Sequence, residues 1–149
     1  MIDSSVLSQY SLFDGLEQKQ IDSILPLMEQ EVYDAGTEII IEGDRNSKIH
    51  FIVEGRVAVI KNKVLLDELG EGIFFGEMEV LDILPVEATI KAMVTTRAMT
   101  LSIDALGDIY ENDLQTYSFI VMNLARDISR RLRNMNNIVA KESPPMDWN

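Results

Sequence analysis

Gly-Ile-Phe-Phe-Gly-Glu-Met-Glu-Val-Leu-Asp-Ile-Leu-Pro-Val-Glu-Ala-Thr, residues 72–89, is an acidic stretch punctuated by Gly72, Gly76 and Pro85. It lies within a longer interval, Lys63 to Lys91, that holds no internal lysine or arginine and seven acids: Asp67, Glu68, Glu71, Glu77, Glu79, Asp82 and Glu87. On both sides the chain breaks into short segments of strand character. Val32-Tyr33, Glu38 to Glu42, Ile49 to Val53, Arg56 to Ile60 and Lys63 to Glu68 precede it, and Thr89 to Val94 and Ala98 to Ile103 follow. Short alternating runs of this kind predict strands. Gly36, Gly43, Gly55, Gly70, Gly72 and Gly76 stand at or near their ends, where tight corners favour a residue without Cβ. The pattern predicts a small antiparallel sandwich or barrel of the jelly-roll kind.

Helices flank this β region. Val6, Leu7, Tyr10, Leu16, Ile21, Ile24, Leu25 and Met28 are spaced for short helices broken at Asp14-Gly15 and Pro26. After Asp104, read as an N-cap, the helical period returns with Leu106, Ile109 and Tyr110. A longer helix is predicted from about Leu114 to Val139. Its apolar positions Val121, Leu124, Ile128, Leu132, Met135 and Val139 step by 3, 4, 4, 3 and 4, the mean period of a straight amphipathic helix. Pro144-Pro145 stops any helix, so residues 1–140 are expected to form one domain and residues 141–149 a disordered tail.

Composition narrows the function. The 149 residues, 46% hydrophobic, suffice for one domain with its own core. The absence of cysteine removes disulfides, thiolate catalysis and cysteine-ligated metals. With no signal-like N-terminus and no apolar run near the roughly 18 residues of a membrane span, the expectation is a cytoplasmic protein without membrane contact. A net charge of −12 works against nucleic-acid binding.

The order of parts resembles the cyclic-nucleotide-binding domain family, represented by catabolite activator protein and the regulatory subunit of protein kinase A. The resemblance is carried by Leu12-Phe13-Asp14-Gly15-Leu16, by Ala35 to Asp44, by Phe51 to Val57, and by Leu69 to Gly72. It is strongest in residues 72–89, where Phe75, Gly76, Glu77, Met78, Leu81, Pro85, Ala88 and Thr89 keep the register of the family's phosphate-binding cassette, F-G-E-[hydrophobic]-A-L followed by P-R-[AS]-A-T. It implies a mainly β fold with flanking helices: a jelly roll, or cupin-like double-stranded β-helix, between N-terminal and C-terminal helices. It also implies a ligand site at Phe75, Gly76, Glu77, Met78, Glu79, Val86, Glu87, Ala88 and Thr89. In nucleotide-binding members the glutamate at the Glu77 position takes the ribose 2′-hydroxyl, and the cassette arginine pairs the cyclic phosphate.

This chain departs from that chemistry. Val86 stands where the arginine belongs, Glu87 replaces a small residue and Glu79 replaces alanine. A charge-assisted contact of the lost kind contributes about 1.5–3 kcal/mol. A cavity lined by carboxylates repels a phosphodiester unless a cation or a distant basic side chain intervenes. The expected function is a stand-alone regulatory or sensor module of signal transduction that does not bind cyclic AMP or cyclic GMP in the usual way. The alternatives are a true cyclic-nucleotide regulator with non-standard phosphate contacts, or a pure protein-interaction module.

Other candidates receive plainer readings. Glu77 is either a retained ribose ligand or a carboxylate held by backbone N–H groups in a tight turn. The acids match no EF-hand-like loop and are read as a solvated face, and a single histidine, His50, cannot build a metal centre of the cupin kind, so neither metal nor cofactor is expected. No nucleophile and base stand out, and no enzyme activity is expected. Arg126, Arg130, Arg131 and Arg133 are read as solvated charge on the outer face of the long helix, supported by Asp127. Only about ten residues follow Val139, two of them prolines, so no DNA-recognition helix is expected. The stripe Val121, Leu124, Ile128, Leu132, Met135 and Val139 either pairs with its twin in a homodimer, the favoured reading, or folds back over the roll. The remaining expected partner is a small molecule of unknown identity.

Overall fold

The computed structural model describes residues 2–148. Eight strands follow in chain order: β1 (Glu29–Tyr33), β2 (Glu38–Ile40), β3 (Lys48–Glu54), β4 (Val57–Lys61), β5 (Val64–Leu69), β6 (Phe74–Phe75), β7 (Thr89–Ala92) and β8 (Thr96–Ser102). They form two four-stranded antiparallel sheets, ordered β1-β8-β3-β6 and β2-β7-β4-β5. Helices α1 (Ser4–Leu7) and α2 (Gln18–Ile24) precede the sheets, α3 (Glu77–Asp82) interrupts them, and α4 (Ile103–Asn112) and α5 (Leu114–Glu142) close the chain. Residues 72–89 therefore span β6, α3 and the start of β7. The mainly β jelly roll with flanking helices is the fold that the glycine-punctuated segments predict.

Several boundaries differ from the sequence reading. β6 is too short to show alternation, yet its pairing of Phe74 with Phe51 and of Phe75 with His50 seats the cassette on β3. Ile103 opens α4 instead of ending a strand, and the N-cap is Ser102, whose hydroxyl accepts from the Ala105 amide at 3.1 Å; Asp104 sits in the first turn. α5 continues through Lys141 to Glu142 and stops at Ser143, which is extended ahead of Pro144.

Period-two geometry sorts the core. On β6, Phe74 faces a cluster with Leu12, Phe13, Ile21, Phe51, Leu101 and Leu124 under the helices, while its neighbour Phe75 faces the roll interior with Ile40, Ile52, Val57, Leu69, Val86 and Ile90. β3 repeats the division, with Phe51 beneath the helices and Ile52 inside the roll. Among the described residues no helix is long and apolar enough to cross a membrane.

α5 is held on the roll by a face that apolar periodicity does not reveal. Thr116, Ile120, Asn123, Leu124 and Asp127 are its buried residues. The Asn123 side-chain amide donates to the carbonyls of Leu12 and Asp14, each at 2.9 Å, tying the helix to the short 3₁₀ turn Ser11–Phe13. Of the expected stripe only Leu124 is fully buried. Val121 and Ile128 are half-buried, and Leu132, Met135 and Val139 are exposed. The first half of α5 folds back on the body of the chain, and its last turns leave their apolar side chains open.

Candidate functional site

A cavity of about 210 Å³ opens between the cassette and the sheet that contains β4 and β5. Gly76 builds its inner end. The glycine has φ +82°, and a Cβ there would lie 2.7 Å from the Asn46 side-chain nitrogen and 2.8 Å from the Lys48 carbonyl oxygen. Asn46 donates to that carbonyl and to the Gly76 carbonyl, at 2.8 and 2.9 Å, pinning the turn from β6 into α3 against β3. No side chain fits that close approach, so glycine is required on both steric and conformational grounds. The turn aims Glu77, Met78 and Glu79 along one wall.

The structure gathers Phe75, Gly76, Glu77, Met78, Glu79, Glu87 and Ala88 around the cavity and leaves Val86 and Thr89 out of it. Val86 is buried in the roll interior with Ile40, Ile52 and Phe75. Its amide donates to the Asp44 carbonyl and its carbonyl accepts from the Gly43 amide, each at 2.8 Å, so this position packs the core. The Thr89 hydroxyl accepts from the Glu42 amide at 3.1 Å, holding β7 to the chain just beyond β2. The lining also includes Ile40, Val59, Leu66, Leu69 and Ile90, and two cations that the cassette itself lacks, Lys61 and Arg131.

Arg131 corrects the sequence reading most directly, because it is turned inward and is not part of a solvated outer face. Its Nη1 lies 3.1 Å from Glu77 Oε1 and its Nε 2.8 Å from Asp127 Oδ2. Nη2 donates to the Phe74 carbonyl, and the guanidinium lies over the Phe74 ring, 5.0 Å from the centroid. Arg126, Arg130 and Arg133 do remain exposed. The spacing Ile120, Leu124, Asp127, Arg131 follows one helical face, so the burial that anchors α5 also delivers the guanidinium to the cassette. The signal lay in sequence as the i, i+4 pair Asp127–Arg131, but hydrophobic periodicity gave no reason to turn it inward.

Glu77 is almost fully buried, and its partner is a guanidinium from α5 in addition to local backbone. Burial pushes its pKa above the usual carboxylate range; Arg131 opposes that shift, and the nearby Glu79 and Asp127 charges reinforce it. Lys61 pairs with Glu87 at the open side, 3.1 Å apart. The acids are therefore dispersed: only Glu77, Glu79 and Glu87 of the seven line the cavity. His50 lies behind it, buried and stacked on Phe75 with ring centroids 4.8 Å apart and planes 7° from parallel. A larger hollow of about 420 Å³ between α3, α4 and α5 is lined mainly by apolar side chains and lacks comparable converging charges.

Comparison with known proteins agrees with this architecture. A family model for the cyclic nucleotide-binding domain matches residues 30–113. The cAMP-dependent protein kinase regulatory subunit of Debaryomyces hansenii is 30% identical over 96 residues, 64% of this chain and 21% of that protein. Glutaminase 2 of Bradyrhizobium diazoefficiens is 30% identical over 131 residues, 87% of this chain and 21% of that protein. The chain thus spans about a fifth of the length of either relative. A solved cyclic nucleotide-binding domain from Methylobacillus flagellatus superposes with a TM-score of 0.85 at 22% identity, covering 95% of this chain and 83% of that one. With more than half of its residues inside the matched region and the jelly roll in place, this chain belongs to the cyclic nucleotide-binding domain family.

Proposed function

We propose that this chain is a regulatory module in which the state of the cassette cavity is read out by α5, and that it does not bind cyclic AMP or cyclic GMP in the usual way. The observation that carries the reading is the Arg131–Glu77 contact. The one guanidinium lining the cavity comes from the C-terminal helix, and it is already engaged by Glu77, Asp127 and the Phe74 carbonyl. A cyclic phosphate would have to draw Arg131 from two carboxylates, while position 86 offers only a methyl-bearing side chain turned into the core. A ligand that engages Glu77 or fills the cavity would compete with Arg131 and loosen the end of α5. A ligand shifts such an equilibrium only by its differential affinity for the two states.

The output is proposed to be association, not catalysis. Leu132, Met135, Ile138 and Val139 are exposed on the last turns of α5, a face suited to a homodimer or another protein partner.

A second reading, a cyclic-nucleotide regulator with non-standard phosphate contacts, is favoured by one feature: Arg131 and Lys61 both line the cavity. Melting curves with cyclic AMP and cyclic GMP, with and without magnesium, separate the two. The expected result is no rise in Tm up to millimolar nucleotide. Binding to the folded state alone would raise stability by RT ln(1 + [L]/Kd), so Tm would climb with nucleotide concentration. Such a climb that Arg131→Met abolishes would establish the second reading and overturn the first.

A further inference from the structure

The geometry points to a specific ligand class for this cavity: a small organic cation, a compact apolar body bearing one protonated amine, with Glu79 as the residue that holds the charge. The inference deepens the functional reading above and rests on its premise that the cavity is not a cyclic-phosphate site.

Two cations and three carboxylates line the cavity. Arg131 is matched to Glu77 and further engaged by Asp127, and Lys61 is matched to Glu87. Glu79 is left over, half-buried on the wall of the cavity and, among the described residues, without a salt-bridge partner. An anion entering here meets cations already neutralised and one free carboxylate; a cation meets the free carboxylate alone.

The rest of the lining is suited to an apolar body. Ile40, Val59, Leu66, Phe75, Met78 and Ile90 form most of the wall, and Phe75 and Met78 add an aromatic ring and a polarizable thioether. A volume of about 210 Å³ is below the usual range of drug-sized sites, which limits the occupant to one or two rings or a short chain. Glu79 also lines two adjoining hollows beside the cassette, placing it at the rim, where an ammonium could keep part of its hydration.

The test uses the intact chain labelled with ¹³C-methyl methionine and follows the Met78 signal during titration with tryptamine or 3-indolepropionate, which share a ring system and spacer and carry opposite charges. Tryptamine is expected to shift the Met78 signal saturably and to bind up to about fivefold more tightly than 3-indolepropionate, the ratio one partly exposed charge pair can supply. Glu79→Gln should remove that preference and Glu79→Lys should reverse it. Three results would overturn the assignment: equal or tighter binding of 3-indolepropionate, an unchanged tryptamine Kd in Glu79→Gln, or an unmoved Met78 signal at millimolar tryptamine. Silence toward both indoles sinks the cation assignment and leaves the regulatory reading standing; saturable cyclic-nucleotide binding through Arg131 overturns the regulatory reading and its premise together.

Discussion

Two ion pairs face the same cavity at the same separation, 3.1 Å, yet the surrounding protein gives them different weight. In the inner pair the Glu77 side chain is 5% exposed and the Arg131 side chain 27%; in the outer pair Glu87 is 63% exposed and Lys61 35%. Water can replace either partner of the outer pair at little cost. Little of Glu77 is open to water, so the inner pair is needed to offset a desolvation cost that folding has already incurred. The inner pair joins residues 54 apart in sequence and the outer pair joins the end of β4 to the segment leading into β7, so equal distances conceal a tertiary fastener and a surface contact.

Arg131→Met gives the largest expected effect. It leaves Glu77 buried beside Asp127 without its cation, and breaking a buried pair from one side costs on the order of 3–5 kcal/mol. The lower end is expected because the guanidinium is partly exposed. Urea denaturation measures the loss, and Glu77→Gln added to Arg131→Met should recover at least half of it, since the double variant no longer strands a charge. A loss below about 1 kcal/mol would place the inner pair in the same class as the outer one.

His50 sharpens the same contrast with a group for which burial outweighs a nearby opposite charge. Its Nε2 lies 3.9 Å from Glu31 Oε2, yet desolvation lowers its pKa to about 4 from an ordinary 6.5; Glu31 opposes the shift and Lys48 adds to it. Between those values the unfolded chain binds a proton that the folded chain refuses. The stability is fully present above pH 6.5 and falls as the pH drops toward 4, by about 3 kcal/mol. His50→Phe keeps a ring on Phe75 and should flatten that part of the stability–pH curve. If the slope is unchanged in the variant, another group carries it.

The fold was legible because glycines and alternation mark seven of the eight strands and because the cassette landmarks keep their register. β6 escaped because two residues carry no period, and the start of α4 was misplaced because Ser102 and Asp104 are both good caps that only geometry separates. The site was legible along its own segment, where Phe75 to Glu79, Glu87 and Ala88 do converge. Lys61 and Arg131 were not, because a cavity wall is assembled from residues far apart in sequence. Periodicity also selects apolar stripes, and the face of α5 that packs contains Thr116, Asn123 and Asp127, each buried and bonded to a specific partner. A helix whose buried face carries polar side chains, with Asn123 bonded to the carbonyls of Leu12 and Asp14, does not present that side to a hydrophobicity count.

The smallest expected effect belongs to Lys61→Met, and it tests the comparison from the other side. The ammonium at Nζ holds Glu87 across the cavity mouth with both side chains partly exposed, and such pairs contribute about 0–1 kcal/mol. Most of the lysine stem already packs as an apolar chain, which methionine reproduces. The variant should therefore lose no more than about 0.5 kcal/mol in urea denaturation at low salt. That difference should vanish near 1 M salt, where the Debye length is about 3 Å. A larger loss that persisted at high salt would mean that Lys61 orders the mouth of the cavity through packing and charge together, and exposure alone would no longer separate the two pairs.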